Sequence, residues 1–93
     1  MVGPYAAATI AASGITPDLL FADHRNRDLV HWRWAGFKVA RLAGLSLPRI
    51  GAEFSRDHAT VLHGLRTFEL RVDEFPGLEA RVALIAAAVE VTR

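Results

Sequence analysis

Between Leu45 and His63 the chain reads Leu45-Ser46-Leu47-Pro48-Arg49-Ile50-Gly51-Ala52-Glu53-Phe54-Ser55-Arg56-Asp57-His58-Ala59-Thr60-Val61-Leu62-His63, and no other stretch leaves so few folds open. Ser46 is suited to cap a helix N-terminus, and Pro48 falls in the first turn, where a missing N–H does little harm. Ile50 and Phe54, four residues apart, share one face and point to a core. A short polar turn follows, and Asp57 is suited to cap a second helix by accepting the free N–H of Ala59 or Thr60. Two helices joined by so tight a turn form a helix-turn-helix, here spanning about residues 46–73.

In the second helix Val61, Leu62, Leu65, Phe68 and Val72 follow helical spacing and are expected to be buried. His58, Ala59, Thr60, His63, Arg66 and Thr67 are left on the opposite face. Short groups lie at its start and longer donors further along. This distribution suits base reading near the N-terminus of a helix in the DNA major groove, with phosphate contacts along its flank. The helix N-terminus itself favours a phosphate, and Arg56 lies beside it in sequence.

The rest of the chain reads as helices too. Pro4 to Ala12 favours a first helix by its alanine content, stopped near Gly14. Thr16-Pro17-Asp18 is a helix start, leading into Leu19-Leu20. Asp23 to Asp28 is polar, arginine-bearing and aperiodic, and reads as a loop. A longer helix is predicted from about Leu29 to Ala43, with Val30, Trp34, Phe37 and Leu42 as its apolar positions and Gly44 as its terminator. Pro76-Gly77 breaks the chain before a last helix over Leu78 to Val91. With no strand alternation and no internal repeat, the expected fold is all-α: one small bundle of five to six helices, residues 1–93, containing the helix-turn-helix.

Charge sharpens the reading. The formal net charge of the 93 residues is only +1, yet Asp23 to Arg66 carries +4, the first 22 residues −1 and residues 67–93 −2. Positive charge is thus gathered around the helix-turn-helix, as expected of a nucleic-acid surface. There is no cysteine, which removes disulfide scaffolds and cysteine-ligated zinc and fits a cytoplasmic chain working at the nucleoid. No apolar run approaches the roughly 20 residues that span a bilayer, so no membrane partner is expected.

The run from Leu45 to His63 resembles the C-terminal DNA-binding domain (domain IV) of the bacterial replication initiator family DnaA. That family's pattern runs Ser-Leu-x-x-Ile-Gly, a short gap, then Arg-Asp-His-Thr-Thr-Val-Leu-His. The resemblance covers Pro17 to about Val72 and is strongest from Leu45 to His63. It implies a Trp-repressor-like helix-turn-helix on double-stranded DNA. It also implies base contacts from Asp57, His58, Ala59 and Thr60, with Ala59 standing where the family has a hydroxyl. Arg56 and His63 match phosphate-binding positions, and Arg49 and Arg66 are candidates for the same role on their basic character. The family's basic loop, which sends an arginine into the minor groove, corresponds to His24-Arg25-Asn26-Arg27, so Arg25 or Arg27 takes that role.

Three departures qualify the resemblance. The family's Gly-Gly before Arg-Asp-His is reduced to Ser55, and its arginine-proline-arginine at the start of the preceding helix is replaced by His31-Trp32-Arg33. Its ATPase is absent from these residues. The expectation is therefore a DNA-binding domain cut from a longer protein that regulates transcription, as in phage-derived activators including those of gene transfer agent production. Replication control through DnaA-box-like sites, or an interaction module on the same fold, are the alternatives. RNA polymerase or another regulator would be engaged through the rest of the longer protein.

Other chemistry finds little support, and no enzymatic activity, cofactor or metal is expected. His58 and His63 are five apart, about 140° around a helix, and do not converge. His24 and His31 straddle the loop without a carboxylate pattern. Trp32 and Trp34 face different sides of their helix, one to the core and the other to a surface or partner. Without a heptad seam, the isolated domain is expected to be a monomer.

Overall fold

The computed structural model describes residues 2–22 and 26–92. Among them it forms six helices and no strand: α1 (Pro4–Ser13), α2 (Pro17–Phe21), α3 (Arg27–Leu42), α4 (Leu47–Phe54), α5 (His58–Arg71) and α6 (Gly77–Thr92). This is the expected all-α bundle.

The caps read from sequence are in place. Thr16 Oγ1 accepts the Leu19 N–H, Ser46 Oγ accepts the Arg49 N–H, and Asp57 Oδ1 accepts the Thr60 N–H at 2.7 Å. Each satisfies one donor that a helix start leaves unpaired. Just past the end of α3, Gly44 adopts a φ of 97° that lets the Leu45 N–H turn back to the Ala40 carbonyl at 3.2 Å. Helix α1 has no side-chain cap of its own. Glu53, from α4, supplies one instead, its Oε1 accepting the N–H groups of Tyr5 and Ala6 and placing negative charge at the positive end of α1.

One sequence boundary is corrected. The polar stretch to Asp28 is not all loop: Asn26 caps α3 by accepting the Asp28 N–H at 2.9 Å, and the helix opens at Arg27. Of the predicted apolar stripe of α3, Phe37 is buried and Val30 and Trp34 half-buried, and Leu42 is corrected. Leu42 is 69% exposed, while Leu29, Trp32, Ala35, Phe37, Val39 and Ala40 are buried. Helix α3 is wrapped on two sides, so its buried surface is wider than a single stripe.

Two apolar clusters flank α3. One joins Ala6, Leu20, Phe37, Ala40, Ile50, Phe54 and Val61, bringing α1, α2, α4 and α5 onto α3. The other joins Ala8, Trp32, Ala35, Val39, Ile85 and Val89, holding α6 against α1 and α3. Phe37 and Phe54 meet edge to face at 5.1 Å, which ties α3 to the first helix of the helix-turn-helix. No helix among the described residues is long and apolar enough to cross a membrane.

Candidate nucleic-acid interface

Helices α4 and α5 pack on each other, and the turn between them is built at backbone level. Ser55 adopts a left-handed conformation, φ 56° and ψ 44°, and Arg56 N–H returns to the Gly51 carbonyl at 2.8 Å. One residue thus reverses the chain. Gly51 is required there, since a Cβ at that position would lie 2.3 Å from the Arg56 carbonyl oxygen.

From this turn α5 is displayed in the expected orientation. Val61 and Phe68 are buried, Leu62 and Leu65 half-buried, and His58, Ala59, Thr60, His63 and Arg66 exposed. Asp57 is exposed too, but one carboxylate oxygen is committed to the cap. The Thr60 backbone N–H, helped by the Thr60 hydroxyl, holds the Asp57 carboxyl below the usual carboxylate range. The outcome is an ionised, oriented carboxylate at the head of α5, with one side chain imidazole, one methyl and one hydroxyl following it. The Thr67 hydroxyl bonds back to the His63 carbonyl at 2.8 Å and so is partly spent on its own helix.

The remaining basic residues are distributed unevenly. Arg66 lines a shallow depression with Lys38, Arg41, Leu47, Leu62, Leu65 and Glu69. Arg49 lines a separate one with Val2, Gly3, Phe21, Ala52, Glu53 and Ser55. Lys38 and Arg41, three apart on α3, were not singled out as site residues by spacing on α5 alone, and the fold brings them beside Arg66. Lys38 is paired with Glu69 and lies over the Phe68 ring, while Arg41 donates to the Leu45 carbonyl.

Two arginines depart from their expected settings. Arg56 does not extend alongside α5: its guanidinium donates to the carbonyls of Phe21 at 3.1 Å, Ala22 at 2.6 Å and Ser55 at 3.1 Å. A projecting phosphate arm is not its resting position. Arg27 does not lie in a loop but on the first turn of α3, its guanidinium 5.8 Å from the centre of the Phe75 ring. Arg25 and His24 lie outside the described residues.

His31-Trp32-Arg33 is turned inward. All three are buried, His31 between the rings of Trp34 and Phe75 and Trp32 beneath the Arg81 guanidinium at 5.2 Å. Trp34 is half-buried beside the first cluster, so neither tryptophan is a free surface ring.

Comparison with known proteins agrees with this geometry. The family described as bacterial dnaA protein helix-turn-helix matches residues 6–67. The chromosomal replication initiator protein DnaA of Deinococcus radiodurans is 40% identical over 70 residues, covering 74% of this chain and 15% of that protein. The chain therefore corresponds to a small part of that relative's length. No solved structure matches. With α4, the turn and most of α5 inside the matched segment, the chain belongs to the bacterial dnaA protein helix-turn-helix family.

Proposed function

We propose that the chain binds double-stranded DNA in a sequence-dependent way, as the DNA-binding part of a bacterial or phage-derived transcription regulator acting at the nucleoid. The observation that carries this reading is the exposed first turn of α5, where Asp57, His58, Ala59 and Thr60 stand together on a capped helix start. A helix start of this kind enters the major groove with its first residues at base edges. His58 and Thr60 supply hydrogen-bonding groups, and the Ala59 methyl suits the methyl of thymine. Arg49, His63 and Arg66 contact phosphates, with Lys38 and Arg41 adding positive charge beside Arg66. Arg25 and Arg27 supply a minor-groove arm in this reading, Arg27 by leaving the Phe75 ring.

A replication-control role is the second reading, favoured by the name of the Deinococcus relative, a chromosomal replication initiator. Genome-wide mapping of bound sites separates the two. Promoters of a regulated operon support transcription control, and an origin dominated by DnaA boxes supports the other.

DNA binding itself is tested by selecting a preferred site from random duplexes and titrating it at rising salt. Affinity is expected to fall steeply, by about 0.9 log units per tenfold salt for each phosphate contacted. His58→Ala is expected to lower the preference for the selected site over random duplex by roughly 1–3 kcal/mol. Absence of duplex binding at any salt would leave an interaction module as the function of this fold.

A further inference from the structure

A helix leaves its last carbonyls unpaired, and in the five-residue α2 those carbonyls are most of the helix. Four consecutive ones, from Leu19 to Ala22, are taken by two guanidinium groups. Buried Arg33, from the middle of α3, donates through Nε to the Leu20 carbonyl at 2.9 Å, and through Nη2 to Leu19 at 2.9 Å and Ala22 at 2.8 Å. Arg56 donates through Nη1 to the Phe21 carbonyl at 3.1 Å and through Nη2 to Ala22 at 2.6 Å. The Ala22 oxygen is shared by both. Arg56 also precedes Asp57, the cap of α5, so its backbone is the entry to that helix.

Electrostatics favours this placement. A cation beside the α5 N-terminus meets the positive end of that helix, whereas unpaired carbonyls at the end of α2 present partial negative charge. The forked guanidinium spans two adjacent carbonyls at once, which an ammonium on a flexible stem does not reproduce.

We propose that Arg56 is a positioning residue: it ties the first turn of α5 to the end of α2 and, through the shared Ala22 carbonyl, to Arg33 and α3. The reading turn is thereby held at a fixed angle to the scaffold. This rests on the DNA-reading role of α5 given above. It differs from a phosphate contact in what it does to specificity, charge dependence and rescue by lysine.

The test compares wild type, Arg56→Ala and Arg56→Lys on the selected duplex and on random duplex across a salt series. Both variants are expected to lose about tenfold on the selected site, the order of one hydrogen bond to a charged group, with little loss on random duplex and an unchanged salt slope. Lysine does not rescue. The proposal is overturned if Arg56→Lys binds like wild type while Arg56→Ala weakens both duplexes equally and flattens the slope by about 0.9, one phosphate contact. Hydrogen exchange of the free protein reads the anchoring without DNA. The amides of Thr60 and Val61, which bond to Asp57, are expected to exchange faster in both variants than any global change in stability explains. Unaltered exchange there overturns the anchoring. Wild type that binds no duplex, with exchange altered as expected, overturns the DNA reading alone.

Discussion

His31 is 6% exposed, with its ring centre 5.2 Å from that of Trp34 and 5.1 Å from that of Phe75. Burial pushes its pKa below the ordinary histidine value, and the nearby Arg81 and Arg27 push the same way against the opposing pull of Asp28. The folded chain therefore resists a proton that the unfolded chain accepts near pH 6.5. Wherever the unfolded state binds more protons, stability rises with pH. His31 thus contributes fully above pH 6.5, and its contribution declines as pH falls below that value toward the lowered folded pKa. Thermal midpoints at pH 7.5 and 5.5 are expected to differ, and His31→Phe is expected to shrink that difference. None of this is legible in the sequence, where His31 is one polar letter beside a polar loop. Its burial depends on Phe75, forty-four residues away. The same holds for Arg33 and Arg56, whose partners are carbonyls of α2 and carry no side-chain signature. In contrast, the exposed face from His58 to Arg66 could be read from helical spacing because neighbours on α5 define it.

The turn between α4 and α5 is where an element-level constraint is tightest. Ser55 occupies a left-handed conformation that a side chain makes costly, and it stands where the family pattern has glycine. Ser55→Gly is expected to raise stability by about 0.5–1 kcal/mol in chemical denaturation, the relief of strain exceeding the added freedom of the unfolded chain. Gly51→Ala is expected to lower it by roughly 1–3 kcal/mol, because the new methyl meets a backbone carbonyl that cannot swing aside. Helix starts at Thr16, Ser46 and Asp57, and the stop at Gly44, were readable because each rests on one residue and its chain neighbours. The start of α3 was not. Its first turn is solvated and polar, and apolar spacing begins only at Leu29. Leu42 misled for the complementary reason: its spacing is helical, but the helix ends there with nothing packed over it.

At the scale of the molecule, α3 separates two apolar clusters that share α1 and α3 but otherwise draw on different helices. Sequence spacing could show that both ends of the chain hold apolar helices, and could not show that α3 would be covered from two sides. Helix α6 buries Leu78, Ile85 and Val89 and leaves Leu84 and Val91 exposed, so apolar residues lie around much of its circumference. The division has an optical consequence. Trp32 belongs to the cluster with α6, under Arg81, while Trp34 packs with the other cluster and its Cδ1 lies 2.9 Å from where a Cβ on Gly64 of α5 would be. Replacing either ring by Phe leaves a single indole whose emission reports one side of α3. Small single domains usually unfold in one cooperative step, so both variants are expected to lose their native emission at the same denaturant concentration once corrected for stability. Separate transitions would show the helix-turn-helix side and the α6 side melting as independent units. On duplex titration the Trp34 emission is expected to shift and the Trp32 emission to stay constant, which makes one indole the signal and the other its internal reference.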